Sequence, residues 1–204
     1  MIYMTKNFSI SICILLFCSS CNYVSYSQIV PMARTAVFGV PDVIIDEQYI
    51  ENKEFSFAKV KIGKTGIAIM TLSQINDNVY SWVSSSGEKL NTLNGKVISI
   101  SGSSFDMKLF NHTNFELNNE LPVYLDAQMM LQSPRAFIEY SSKTQKLNFD
   151  DNDLFYYEEV VAVKGFKWNF INRYWVDPLT KRVTRTFQTI HPKQPEIEIT
   201  YYYK

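Results

Sequence analysis

The stretch Trp168-Asn169-Phe170-Ile171-Asn172-Arg173-Tyr174-Trp175-Val176 decides the fold class. Successive side chains of a strand point to opposite faces. A strand here puts Trp168, Phe170, Asn172, Tyr174 and Val176 on one face. Asn169, Ile171, Arg173 and Trp175 fall on the other. Asp177-Pro178-Leu179-Thr180 then supplies turn chemistry, and the chain returns along 182–190. It crosses again from Ile197 to Tyr203, where Ile197, Ile199, Tyr201 and Tyr203 alternate with Glu196, Glu198 and Thr200. This is the signature of a sheet with one wet face.

The same pattern extends upstream. Ala58, Val60 and Ile62 alternate with Lys59 and Lys61, residues 63–66 make a turn, and 67–72 read as a buried strand. Residues 78–84 and 88–93 form a hairpin across Ser85-Ser86-Gly87. Asn94-Gly95 marks the next turn, because a type I′ turn needs positive φ at both central residues. A strand follows over 96–100, and further strands are expected at 105–110, 122–131, 136–141, 145–149 and 154–163. Short helices are expected only near the N-terminus, at 32–38 and at 47–52 behind an Asp46 N-cap. The expectation is an all-β body: a large antiparallel meander curling on itself, sandwich-like or barrel-like.

Composition agrees. The 204 residues are 46% hydrophobic and 15% aromatic, with 14 Phe, 13 Tyr and 3 Trp, which is too apolar for disorder and favours strands. Twenty basic residues balance twenty acidic ones. A neutral chain has no electrostatic footprint for nucleic acid.

The N-terminus reads as an export signal. Lys6 precedes a short apolar run from Phe8 to Phe17, and Ser19-Ser20 stand before Cys21. The run is too short to span a bilayer, which takes about 20 apolar residues. A cysteine directly after small residues resembles a bacterial lipoprotein signal with Cys21 as the acylated residue. Residues 1–20 are then the signal peptide, 21–35 the lipidated cysteine and its tether, and 36–204 a single β domain. Cys13, Cys18 and Cys21 are the only cysteines, so the body has no thiol for a disulfide, a metal or a nucleophile. Asn22, where Asp would signal inner-membrane retention, favours the outer membrane.

No catalytic set, metal site or cofactor site is legible. His112 and His191 lie in polar, turn-like contexts and read as surface residues without ligand-spaced partners. Glu158 and Glu159 point to opposite faces of one strand and cannot work as an acid–base pair. Asp150-Asp151-Asn152-Asp153 lacks the Gly and terminal Glu of a calcium loop and reads as a solvated turn. The chain is expected not to be an enzyme.

Several segments together resemble one family. They are Phe38-Gly39, Asp46-Glu-Gln-Tyr-Ile50, Phe57-Ala-Lys-Val-Lys-Ile-Gly63, Ser81-Trp82-Val83-Ser84 with Gly87, and Asn94-Gly95-Lys96-Val97-Ile98. The most specific is Asn172-Arg173-Tyr174-Trp175-Val176-Asp177. Their order and spacing resemble the YjbF/GfcB family, lipoproteins associated with group 4 capsule and other exopolysaccharide operons. The resemblance implies an outer-membrane lipoprotein and an antiparallel meander. It also implies a non-enzymatic accessory role in polysaccharide secretion or assembly, docking on export proteins encoded nearby. The alternative is a glycan- or lipid-binding module. Trp82, Arg173 and Trp175 are the candidate contacts with a partner or a glycan, since an Arg beside an aromatic ring can both stack and hydrogen-bond.

Overall fold

The structure, a computed structural model, describes residues 44–204 apart from 65–66, 104, 113–114, 118–121, 133–134 and 148–152. The expected helix at 32–38, the tether, Cys21 and the Asp150-Asp151-Asn152 run lie outside the described residues. Helix α1 spans Glu47–Glu51, and its N-cap Asp46 accepts a hydrogen bond from the Tyr49 amide at 2.7 Å, as expected. Twelve strands follow: β1 Phe57–Ile62, β2 Ile67–Asn76, β3 Val79–Ser84, β4 Lys89–Leu93, β5 Lys96–Ser101 and β6 Met107–Phe110. The second half comprises β7 Val123–Gln132, β8 Arg135–Lys146, β9 Phe155–Val163, β10 Asn169–Val176, β11 Val183–Gln188 and β12 Ile197–Tyr202.

Each strand pairs antiparallel with the next, and β12 pairs with β1, so the meander closes into a barrel. Closure removes every free edge. Of the two expected outcomes, sandwich or barrel, the barrel is the one formed. The strand expected at 145–149 does not stand alone: Gln145 and Lys146 continue the strand expected at 136–141 within β8, Leu147 lies beyond its end, and 148–149 are outside the described residues. Ser142, Lys143 and Thr144, the gap between the two expected strands, keep register with Val161, Val160 and Glu159 of β9. Ser142 and Thr144 are buried. Their polarity serves the interior.

Eight strands already give a barrel that side chains can fill, so twelve require bulkier filling. Trp82, Tyr174 and Phe115 are among the largest fully buried side chains of the core, whereas Phe57, on the other face of β1 from Ala58 and Val60, is buried against Tyr49 of α1 and Tyr202 of β12. Trp82 lies against Tyr201 at 5.4 Å and donates its Nε1–H to Thr92 Oγ1 at 3.0 Å. The Asn94-Gly95 turn also bends into the lumen. Gly95 is buried with φ +79°, and a Cβ there would stand 2.6 Å from Val183 Cγ1 of β11. Its carbonyl accepts hydrogen bonds from Gln188 Nε2 at 2.7 Å and from the Tyr201 hydroxyl at 3.2 Å. Only glycine fits that conformation and that space.

The outer surface carries Lys59, Lys61, Glu158, Arg173, Arg185 and Glu198, while the interior is mostly aliphatic and aromatic with a buried polar minority. A membrane-spanning barrel has the opposite arrangement, with an apolar outer band. Among the described residues no helix is long and apolar enough to cross a membrane.

Candidate functional site

Strands β9 and β10 pair along their whole length, with Asn172 opposite Glu159, Arg173 opposite Glu158 and Trp175 opposite Tyr156. The alternation therefore sorts neighbouring residues onto two faces of very different character.

The inner face holds an ion pair. Lys96 Nζ contacts Glu159 Oε1, and both side chains are almost wholly buried. Glu159 Oε2 accepts hydrogen bonds from Asn172 Nδ2 and the Tyr174 hydroxyl, each at 2.9 Å. Asn172 Oδ1 in turn accepts the Thr189 amide at 2.9 Å. The Lys96 ammonium also lies over the rings of Phe115 at 4.7 Å and Tyr140 at 5.5 Å. Burial alone would push the Glu159 carboxyl up. The Lys96 charge and hydrogen bond, with the hydrogen bond from Asn172, more than reverse this and hold it below the usual carboxylate value. Burial, joined by the Glu159 charge, pushes the Tyr174 hydroxyl well above its ordinary value. A void of about 10 Å³ touches Lys96, Tyr140 and Asn172, about the space of one water at most. A carboxylate so enclosed and so fully hydrogen-bonded holds the barrel together; it has no room for a substrate.

The outer face is accessible. Trp175 is half-buried between Tyr156 of β9 at 5.1 Å and Phe187 of β11 at 5.5 Å. The Arg185 guanidinium lies over Phe187 at 4.6 Å and Trp175 at 5.6 Å, and its Nη2 reaches Glu198 Oε1 at 2.6 Å. Arg173 Nη1 pairs with Glu196 Oε1 at 3.1 Å, both side chains over a third exposed. The Tyr156 hydroxyl donates to Glu158 Oε1 at 2.6 Å. Burial, with Glu158 beside it, pushes that hydroxyl up to about 12. The result is a stripe of three rings flanked by two Arg–Glu pairs, running from β9 to β12.

The structure thus places Arg173 and Trp175 together on the outside and Trp82 inside the barrel, fully buried. Tyr156, Arg185, Phe187, Glu196 and Glu198 complete the outer stripe. The alternation of 183–188 already put Arg185 and Phe187 on one face, but which strand lay beside β10 was needed to connect them to Trp175. His191, expected at the surface, is buried. It packs against Phe105 at 6.2 Å and its Nδ1 accepts the Lys193 amide at 3.1 Å, because the loop from β11 to β12 folds over the barrel end. His112 is half-buried, and burial pushes its imidazole down, with Lys96 and Lys108 adding to the effect. Glu158 and Glu159 do point to opposite faces. Among the described residues no group of His, Cys, Asp and Glu could hold a metal ion.

Residues 126–202, from within β7 through β12, match the model of a family described as "Group 4 capsule polysaccharide lipoprotein gfcB, YjbF". The match is to the YjbF family. It contains the Asn172–Asp177 motif and the whole outer stripe, whereas the Trp82 hairpin lies outside it. In structure, the YjbF-like chain is similar to a crystal structure of the hypothetical lipoprotein YmcC from Escherichia coli K12. The TM-score is 0.65 at 16% identity, covering 89% of this chain and 98% of that one. At that identity the likeness is one of fold. No curated protein sequence matches the chain.

Proposed function

We propose that this protein is a lipid-anchored, non-enzymatic accessory of capsule or exopolysaccharide export. Acylated Cys21 holds it to the outer membrane with the barrel facing the periplasm, and the β9–β12 outer stripe docks on a protein of the export machinery. The observation that carries this reading is Trp175, half-exposed between Tyr156 and Phe187 and flanked by the Arg173–Glu196 and Arg185–Glu198 pairs. Aromatic and Arg side chains at the centre of a patch are the residues that dominate protein–protein binding energy. Surface ion pairs can exchange partners at little net expense. The family description and the lipoprotein signal support the anchoring and the polysaccharide setting.

Export of polymer and capture of envelope proteins, compared between the wild type and Arg173→Ala, test the reading. The variant is expected to fold normally, to lose a co-purifying envelope protein and to lower surface polysaccharide. Normal export with normal folding would overturn it. Loss of glycan binding with no change in captured protein would favour the alternative, a glycan-binding stripe. Mass spectrometry of the mature N-terminus is expected to show acylated Cys21, and a free N-terminus elsewhere would remove the anchor.

A further inference from the structure

A cleft of about 240 Å³ opens at the barrel end where β2 turns into β3, β4 into β5 and β10 into β11. This is below the roughly 300–1,000 Å³ of sites for drug-sized ligands and suits a single sugar ring. Its floor is buried and formed in part by Thr92, Gly95 and Val183, while Lys181 and Arg182 stand exposed at its rim. Tyr80 and Tyr203 form a wall, ring centroids 5.9 Å apart and nearly perpendicular. The Arg182 guanidinium lies 5.2 Å from the Tyr203 ring. The polar side chains Asn78 and Asn94 complete the polar lining.

The two cations are set on a turn that is held from within. Asp177 Oδ1 accepts the Leu179 amide at 2.8 Å and Oδ2 accepts the Thr180 hydroxyl at 2.9 Å. The Asp177 amide donates to the Arg182 carbonyl, and the Lys181 amide to the Asp177 carbonyl, each at 2.9 Å. The Asp177 carboxylate is therefore occupied by its own turn. Among the described residues no carboxylate lines the cleft or lies within ion-pair distance of Lys181 or Arg182. On the outer stripe both arginines are paired with glutamates. At this cleft the Arg182 guanidinium lies against the Tyr203 ring and the Lys181 ammonium over the Phe155 ring at 4.7 Å, so among the described residues both cations have aromatic neighbours and no carboxylate partner.

We infer that this cleft binds an acidic sugar unit, a pyranose bearing a carboxylate. Its C–H face packs on Tyr80 and Tyr203, and its carboxylate meets Arg182 and Lys181. Tyrosine offers apolar area with a polar rim, and an Arg fork matches a carboxylate in two parallel hydrogen bonds. Preset positions for both cations reduce the ordering lost on binding. This inference rests on the polysaccharide setting proposed above but uses a different surface from the docking stripe.

Isothermal titration calorimetry of the full chain, purified from membranes in detergent, tests it with three probes: tetramannuronate, maltotetraose and inorganic phosphate. Tetramannuronate is expected to bind at least tenfold tighter than either other probe. The combined Lys181→Gln and Arg182→Gln variant is expected to lose at least tenfold in tetramannuronate affinity with its unfolding midpoint unchanged. Equal binding of maltotetraose would make the cleft a neutral-sugar site and overturn the carboxylate assignment. Equal binding of phosphate would reduce it to a simple anion site. Unchanged affinity in the variant, or no binding of tetramannuronate by the wild type, would also overturn it. Each of these results leaves the Arg173 pull-down unaffected, so failure of the cleft and failure of the docking stripe are separable.

Discussion

Glu158 and Glu159 are consecutive in β9, yet they meet different physics. Glu158 lies on the outer stripe near water, with Tyr156 as its hydrogen-bond partner. Glu159 is enclosed with Lys96, Asn172 and Tyr174. Their cross-strand neighbours in β10 divide likewise, Arg173 outward and Asn172 inward. Both faces contain cation–carboxylate pairs among aromatic rings, so residue types do not distinguish them. Exposure does. A pair in water gains little and can be given up to a partner. A pair in the core must stay intact, because either ion left alone is an uncompensated buried charge.

The sharpest way to break this contrast is Glu159→Gln. It strands the Lys96 ammonium in the barrel and is expected to destabilise the fold by about 3–5 kcal/mol, read as a fall in the unfolding midpoint on the order of 10 °C. The double variant Lys96→Met with Glu159→Leu removes both charges and is expected to recover most of the loss. If the single variant melts like the wild type, the pair is not a structural element. The same carboxylate sets an acid limit. Its folded-state value lies below the ordinary 4.5, so its contribution is fully present above that value. The contribution is lost as the pH falls through the lowered value. Denaturation curves from pH 6 downward are expected to show declining stability below about 4.5, with a shallower decline in Glu159→Gln.

A smaller effect is expected from Gly95→Ala. Positive φ disfavours any side chain by about 1–2 kcal/mol, and the new methyl would press on Val183, so the total is expected near 2–3 kcal/mol. Denaturant unfolding measures it. An unaffected midpoint would mean the turn is not seated in the lumen. The smallest effect belongs to the outer face. Arg185→Ala is expected to change stability by less than about 1 kcal/mol, even though it breaks a 2.6 Å contact with Glu198. A loss as large as that of Glu159→Gln would erase the distinction between the two faces.

Much of this was legible before any coordinates. Alternation alone sorts Phe170, Asn172, Tyr174 and Val176 onto one face and Arg173 and Trp175 onto the other, but which of the two faces lies inward it leaves open. Asn94-Gly95 announced its turn through the demand for positive φ. Polar residues in the interior were harder to read. Nothing local in Lys96, Glu159 or His191 says that they are buried, since their partners lie in distant strands or in a folded-over loop. Residues 142–144 fell between two expected strands for the same reason, because alternation rules take polar to mean wet. The outer stripe needed the order of strands, which single-strand periodicity does not contain. The periodicity of single strands could not choose between sandwich and barrel, because closure depends on β1 and β12 meeting from opposite ends of the domain.

That meeting of β1 and β12 constrains how the protein can be made. Phe57 of β1 stacks on Tyr202 of β12 with centroids 4.6 Å apart, and the Lys204 amide donates to Ser56 Oγ at 2.9 Å. Until β12 arrives, β1 and β11 both stand as unpaired edges able to pair with another chain. During emergence of the chain the growing sheet thus stays adhesive until β12 has paired with both of its neighbours. Chaperoning then matters most while those last strands are still missing. A nick or deletion within β12 would act on solubility before it touched any binding surface.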